Sequence, residues 1–127
     1  MVLPFFNTDI PAGFPSPAQD YSEEEIDLAK VLQPNPTTFI IRVKGNSMEL
    51  AHIPDGCMIV VDRAIRPVSG NIIVAVLDGE FTIKRLVRAG RNWVLHPENP
   101  LYKPIKIEEE ADFQVWGVVT NIIISAK

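Results

Sequence analysis

Six short segments rich in β-branched residues follow one another along the chain, at 38–43, 58–61, 72–77, 81–87, 93–96 and 113–124. Such segments favour strands, because branched side chains pack well on a pleated surface. Asp78 and Gly79 separate the third segment from the fourth, and this dipeptide between apolar runs is a strong hairpin signal, since both residues tolerate a positive φ. The spacing predicts a mainly β, small curved fold and disfavours alternating βαβ units.

The first residues of the chain have a different composition. Residues 1–20 contain four prolines, which remove backbone donors and favour extended conformations, so this segment is predicted to be a proline-rich N-terminal arm. After it, Ser22 and Glu25 have the spacing of a capping box and predict a short helix that ends before Pro34. We therefore expect an arm over 1–20 and one β domain over 21–127.

Composition narrows the classes of function. A chain of 127 residues can bury a core without metal or disulfide support, and its formal net charge of -4 disfavours strong direct binding to nucleic acid. The single cysteine, Cys57, can form no internal disulfide, and His52 and His96 lack the spacing of a metal site, so no metal and no cofactor are expected. The apolar runs are shorter than the roughly 20 residues that span a bilayer, and the N-terminus does not resemble a secretory signal. We expect a cytoplasmic protein without a membrane anchor.

Ser47 and Lys84 stand out as a candidate catalytic pair. Ser47 follows Gly45 and Asn46, which suit a tight turn, and Lys84 interrupts an otherwise apolar strand pattern. Partial burial lowers the pKa of a lysine, and the neutral amine can act as the base that a nucleophilic serine needs. Taken singly, a turn serine is usually structural and a strand lysine usually points to solvent. His52 is an alternative base, although a loop histidine more often makes only local hydrogen bonds.

The residues around this pair resemble the LexA and UmuD family of self-cleaving proteins. The nucleophile region of the family is similar to Gly45-Asn46-Ser47-Met48 together with 53–62. The region of its lysine base is similar to 70–75 and 78–86, in which the base falls on Lys84. Two further blocks, 95–102 and 115–119, also resemble the family, so the resemblance covers nearly the whole chain. It implies a small β-fold of the LexA C-terminal and signal-peptidase type.

The segment Ala12-Gly13-Phe14-Pro15-Ser16-Pro17-Ala18 resembles the self-cleavage site of UmuD-like members of this family. The resemblance therefore implies a serine endopeptidase that cuts its own Ala12-Gly13 bond. In this hypothesis Ser47 attacks the Ala12 carbonyl, and Lys84 takes the hydroxyl proton and returns it to the Gly13 amine. The backbone amide of Ser47 helps to bind the oxyanion.

The resemblance also implies a cellular role and partners. After cleavage the protein would be an accessory subunit of an error-prone Y-family translesion DNA polymerase, with a UmuC-like catalytic subunit, in the DNA-damage (SOS) response. A homodimer is implied, as is stimulation of cleavage by the RecA filament on single-stranded DNA.

Other interpretations are open at this point. In one of them, the Ser47 and Lys84 pair is an inactive relic of a protease, and the protein is a dimeric module that only binds a polymerase subunit. A LexA-like repressor needs an upstream DNA-binding domain, for which the residues before Thr37 are too few and too rich in proline, and a signal peptidase needs membrane attachment. The apolar run 115–124 fits a dimer interface and a buried central strand equally well.

Overall fold

The computed structural model describes residues 1–6, 12–13 and 23–127, and its contacts divide the chain into two compact units, Met1–Asn35 and Pro36–Lys127. The predicted boundary at residue 20 and most of the predicted proline-rich arm lie outside the described residues. Within those residues, no helix is both long and apolar enough to cross a membrane.

The N-terminal unit contains two strands and one short helix. Strand β1 (Val2–Phe6) pairs antiparallel with β2 (Glu23–Asp27), and helix α1 (Leu28–Leu32) follows directly. The prediction of a helix that starts at Ser22 is wrong, because residues 23–27 pair with β1 and the helix begins only at Leu28. The cap is Asp27, whose Oδ1 accepts a hydrogen bond from the Ala29 amide at 3.1 Å. Cross-strand pairing thus overrides the local capping signal.

The second unit is built on a seven-stranded antiparallel sheet with the spatial order β3-β4-β9-β5-β6-β7-β8. Along the chain these strands are β3 (Thr38–Arg42), β4 (Met58–Asp62), β5 (Ile72–Leu77), β6 (Glu80–Ala89), β7 (Asn92–His96), β8 (Ile105–Lys106) and β9 (Phe113–Ile123). Each of the six predicted segments coincides with one of these strands, so the mainly β fold is confirmed. The two-residue strand β8 is the one that the pattern did not predict.

The hairpin between β5 and β6 sets the position of Lys84. Asp78 and Gly79 both have positive φ, 49° and 84°, and Leu77 pairs with Glu80 across them, as predicted for a two-residue turn. A turn of fixed length fixes the register of the two strands. Lys84 is thereby placed opposite Ile73, in the middle of the sheet.

Strand β9 lies at the centre of the sheet, between β4 and β5. Its apolar run therefore corresponds to a central strand, one of the two interpretations left open by the sequence. The register shifts between Val60 and Val61 on one side and between Val74 and Ala75 on the other. Such bulges bend a strand and increase its local twist.

Two clusters of buried side chains form the core of the second unit. One contains Ile73, Ala75, Leu86, Leu95 and Val118. The other extends from the sheet into the connection between β3 and β4, and it contains Val43, Met48, Ile53, Cys57, Ile59, Val61 and Val74. Met48 is only 2% exposed and directly follows Ser47, so burial of the methionine anchors the turn that carries the candidate nucleophile.

Candidate active site

Ser47 lies in the connection between β3 and β4, which is held in place by hydrogen bonds at both ends. The Val43 amide donates to the Cys57 carbonyl at 2.8 Å, which closes the base of the connection. Gly45 has a φ of 100°, a conformation that favours glycine, and its amide donates to Asp55 Oδ1 at 2.7 Å. The turn therefore presents the half-buried Ser47 hydroxyl from a constrained backbone.

Lys84 projects from β6 and reaches the Ser47 hydroxyl. Its side chain is 7% exposed, and Nζ lies 3.0 Å from Ser47 Oγ. The same nitrogen donates to Thr82 Oγ1 at 2.6 Å and to the Ile83 carbonyl at 3.0 Å. An ammonium group has three protons, so these three acceptors account for all of them. Burial nevertheless lowers the pKa of Lys84, because removal from water disfavours the charged form.

The Ser47 and Lys84 side chains line a cleft of about 530 Å³ in the second unit. Its walls are mostly apolar and include Ile41, Val43, Met48, Val74, Phe81, Ile83 and Tyr102. A mostly apolar cleft with a few convergent polar groups is the usual form of a binding site. This cleft therefore contains a serine and a partly desolvated amine in hydrogen-bond contact.

The other residues singled out from the sequence occupy different positions. His52 ends a 3-10 helix over Glu49–Ala51, with a φ of 64°, and it does not line the cleft. Ala12 and Gly13 belong to the N-terminal unit and are exposed. Within the described part of the chain, no three His, Cys, Asp or Glu side chains lie close enough together to hold a metal ion.

Thr82 is a member of the site that the sequence interpretation missed. Residues two apart on a strand point to the same side of the sheet, so Thr82 and Lys84 are neighbours. The two-residue spacing of Thr82 and Lys84 is therefore the sequence signal by which Thr82 could have been found. Its short contact with Nζ makes Thr82 a positioning residue for Lys84.

In the self-cleavage reaction that the family resemblance implies, replacing Thr82 with valine should lower the high-pH plateau of the rate about 10-fold, because an unrestrained amine spends less time at Ser47. Loss of an acceptor also disfavours the ammonium, so the pKa of Lys84 should fall further and the midpoint of the pH–rate curve should move to lower pH. Rates measured across the alkaline range test both effects. Thr120→Val is a matched control, since Thr120 donates to the Val60 carbonyl on another strand. An unchanged rate and midpoint in Thr82→Val would contradict the assignment.

Comparison with known proteins identifies the family to which this chain belongs. Residues 4–120 match the family model described as Peptidase S24-like. Protein SamA of Salmonella typhimurium is 46% identical over 121 residues, which cover 94% of this chain and 84% of SamA. Protein MucA of Escherichia coli is 40% identical over 124 residues, which cover 96% of this chain and 84% of MucA. The LexA repressor of Bordetella parapertussis is 34% identical over 123 residues, which cover 97% of this chain and 56% of the repressor. The chain therefore belongs to the Peptidase S24-like family, as a UmuD-like member of the LexA and UmuD group of self-cleaving proteins.

Proposed function

We propose that this chain is a serine autoprotease of the DNA-damage (SOS) response, which cuts its own Ala12-Gly13 bond and thereby becomes an accessory subunit of an error-prone translesion DNA polymerase. The observation that carries the proteolytic part is the 3.0 Å contact between Lys84 Nζ and Ser47 Oγ inside a cleft. Membership of the UmuD-like group supports the part that concerns the polymerase.

The first chemical step needs the neutral amine of Lys84. Lys84 Nζ takes the proton of the Ser47 hydroxyl while Oγ forms a bond to the carbonyl carbon of Ala12. When the tetrahedral intermediate collapses, the bond between Ala12 and Gly13 breaks, and the proton passes from Nζ to the new amine of Gly13. A water molecule then hydrolyses the ester between Ser47 and Ala12, with Lys84 again acting as the base. The products are residues 1–12 and residues 13–127.

The backbone amide of Ser47 is the candidate oxyanion donor. Among the described residues it makes no hydrogen bond, whereas the Ser47 carbonyl accepts one from the Glu98 amide at 2.8 Å. The bond to the Ser47 carbonyl restrains the turn, and the Ser47 N–H, which has no partner among the described residues, is available to a developing negative charge. A fixed donor of this kind is typically worth about 2.7 to 4 kcal/mol of transition-state stabilisation.

Family membership also supports the partners of this function. We expect the protein to act as a cytoplasmic homodimer, to cleave itself in contact with the RecA filament on single-stranded DNA, and to bind a UmuC-like Y-family polymerase subunit. The formal net charge of -4 disfavours strong direct binding to the DNA strand.

Incubating the purified protein at alkaline pH and measuring its mass tests the proteolytic part. Deprotonation of Lys84 should allow self-cleavage, and the two products should have the masses of residues 1–12 and 13–127. Gly13→Glu should slow cleavage at least about 10-fold, because a large side chain in place of glycine must then fit beside the attacked carbonyl. A folded wild-type chain that stays intact would contradict the proposal and leave the protein as a binding module. Equal rates in wild type and Gly13→Glu would place the cut at another bond.

A further inference from the structure

A second group of side chains lies beside the Ser47 turn and outside the cleft. It consists of Arg85 on β6 and Glu98 in the loop between β7 and β8. The Arg85 Nε donates to Glu98 Oε1 at 2.5 Å, and Arg85 Nη1 donates to the Gly70 carbonyl at 2.6 Å. Neither residue lines the cleft.

Each member of this ion pair is tied to one member of the proposed dyad. Arg85 directly follows Lys84 on the same strand, and their side chains project to opposite sides of it. Glu98 is tied to the nucleophile turn through its backbone: its amide donates to the Ser47 carbonyl at 2.8 Å, and its carbonyl accepts from the Leu50 amide at 2.9 Å. The ion pair therefore links β6, which carries Lys84, to the turn that carries Ser47.

Asn99 reinforces the same connection. Its side chain is 8% exposed, and its Nδ2 donates to the Asn46 carbonyl at 2.8 Å, while its Oδ1 accepts from the Leu101 amide at 2.9 Å. Two consecutive carbonyls of the nucleophile turn, those of Asn46 and Ser47, are thus held by two consecutive residues of one loop. That loop is in turn attached to β6 through Arg85.

We propose that the Arg85–Glu98 ion pair is a positioning element that holds the Ser47 turn in register with Lys84. The inference rests on the proposed function, because it assigns a role in the self-cleavage reaction. Both side chains are partly exposed, with accessibilities of 33% and 27%, and such pairs contribute little to overall stability. Their effect should therefore appear in the cleavage rate and not in the stability of the fold. A displacement of about 1 Å between reacting groups can cost on the order of 100-fold in rate.

The test compares Glu98→Gln with Arg88→Gln and with the double variant Arg85→Glu/Glu98→Arg. Glu98→Gln keeps the shape of the side chain but replaces the charge-assisted contact with, at most, a weaker hydrogen bond to a neutral acceptor. It should lower the plateau of the pH–rate curve about 10- to 100-fold, while the midpoint, set by Lys84, stays near that of the wild type. Arg88 lies three residues farther along the same strand and packs over the Trp93 ring at 5.2 Å, so Arg88→Gln is a matched control. The double variant reverses the two charges and should recover part of the lost rate.

A second measurement separates positioning of Ser47 from docking of the scissile segment. A fluorophosphonate forms a bond from phosphorus to the serine oxygen and releases fluoride, so its rate of reaction reports on the nucleophile without the chain's own Ala12-Gly13 bond. Glu98→Gln should slow this labelling by a factor similar to that for cleavage, and its melting temperature should change by only a few degrees.

Three results would overturn the inference while the wild type cleaves itself: cleavage by Glu98→Gln within about twofold of wild type, an equal loss in Arg88→Gln, or unchanged labelling of Ser47. Absence of cleavage in the wild type would instead contradict the proposed function. The two failures are therefore distinguishable.

Discussion

We expect Lys84→Arg to leave the chain uncut across the range from about pH 6 to 11, because a guanidinium stays protonated and cannot accept the serine proton. Lys84→Ala should be equally inactive near neutrality. In the wild type, burial lowers the pKa of Lys84 from its ordinary value of 10.5. Cleavage should therefore rise by about tenfold per pH unit below that lowered pKa and level off above it.

Variants of two other residues serve as controls for this prediction. Lys106 is exposed on β8 and does not line the cleft, so Lys106→Arg should cleave at the wild-type rate. A reaction driven by His52 would instead level off above a pH of about 6.5 and be lost in His52→Ala. Cleavage by Lys84→Arg at the wild-type rate would remove Lys84 from the mechanism.

The lowered pKa of Lys84 also makes the stability of the fold depend on pH. A lysine whose pKa is lowered by folding binds its proton more tightly in the unfolded chain. The charged form of Lys84 therefore disfavours folding below the lowered pKa, and stability should rise as the pH increases from that value toward 10.5. We expect Lys84→Met, which keeps the length of the side chain without its charge, to lack this rise, and unfolding in denaturant at several pH values measures it.

Ser47→Ala should reduce self-cleavage by at least about 10⁴-fold, because the attacking oxygen is absent and no other group takes its place. The fold should be retained, since a half-buried turn hydroxyl contributes little to a core that Met48 anchors through its own burial. Mass measurement after prolonged alkaline incubation gives the rate, and circular dichroism confirms the fold.

A serine outside the site provides the comparison for this second prediction. Ser69 Oγ accepts a hydrogen bond from the Arg88 amide at 3.0 Å, and it does not line the cleft. Ser69→Ala should therefore cleave as the wild type does. Retained scission of the Ala12-Gly13 bond in Ser47→Ala would exclude Ser47 as the nucleophile.

Much of the fold can be predicted from the sequence because its signals act over a few residues. The β-branched segments and the Asp78-Gly79 turn depend on local sterics, and the structure confirms both the strands and the turn. The capping signal at Ser22 and Glu25 is just as local, yet it fails because β1 competes for residues 23–27. Strand β1 is distant in sequence from Ser22, so a short sequence window around Ser22 does not reveal the pairing.

The sequence also identifies the candidate residues Ser47 and Lys84, but it does not show that their side chains are in contact. Ser47 and Lys84 are 37 residues apart, and a spacing of that length does not dictate a contact. Ser47 follows β3 and Lys84 lies on β6, and these strands are not neighbours either, since β4, β9 and β5 lie between them in the sheet. The two side chains meet because β9 joins β4 to β5 in one sheet, and because the loop after β7 hydrogen-bonds to the Ser47 turn. Local propensity selects strands and turns, whereas the distance between nucleophile and base depends on packing among segments from the whole second unit.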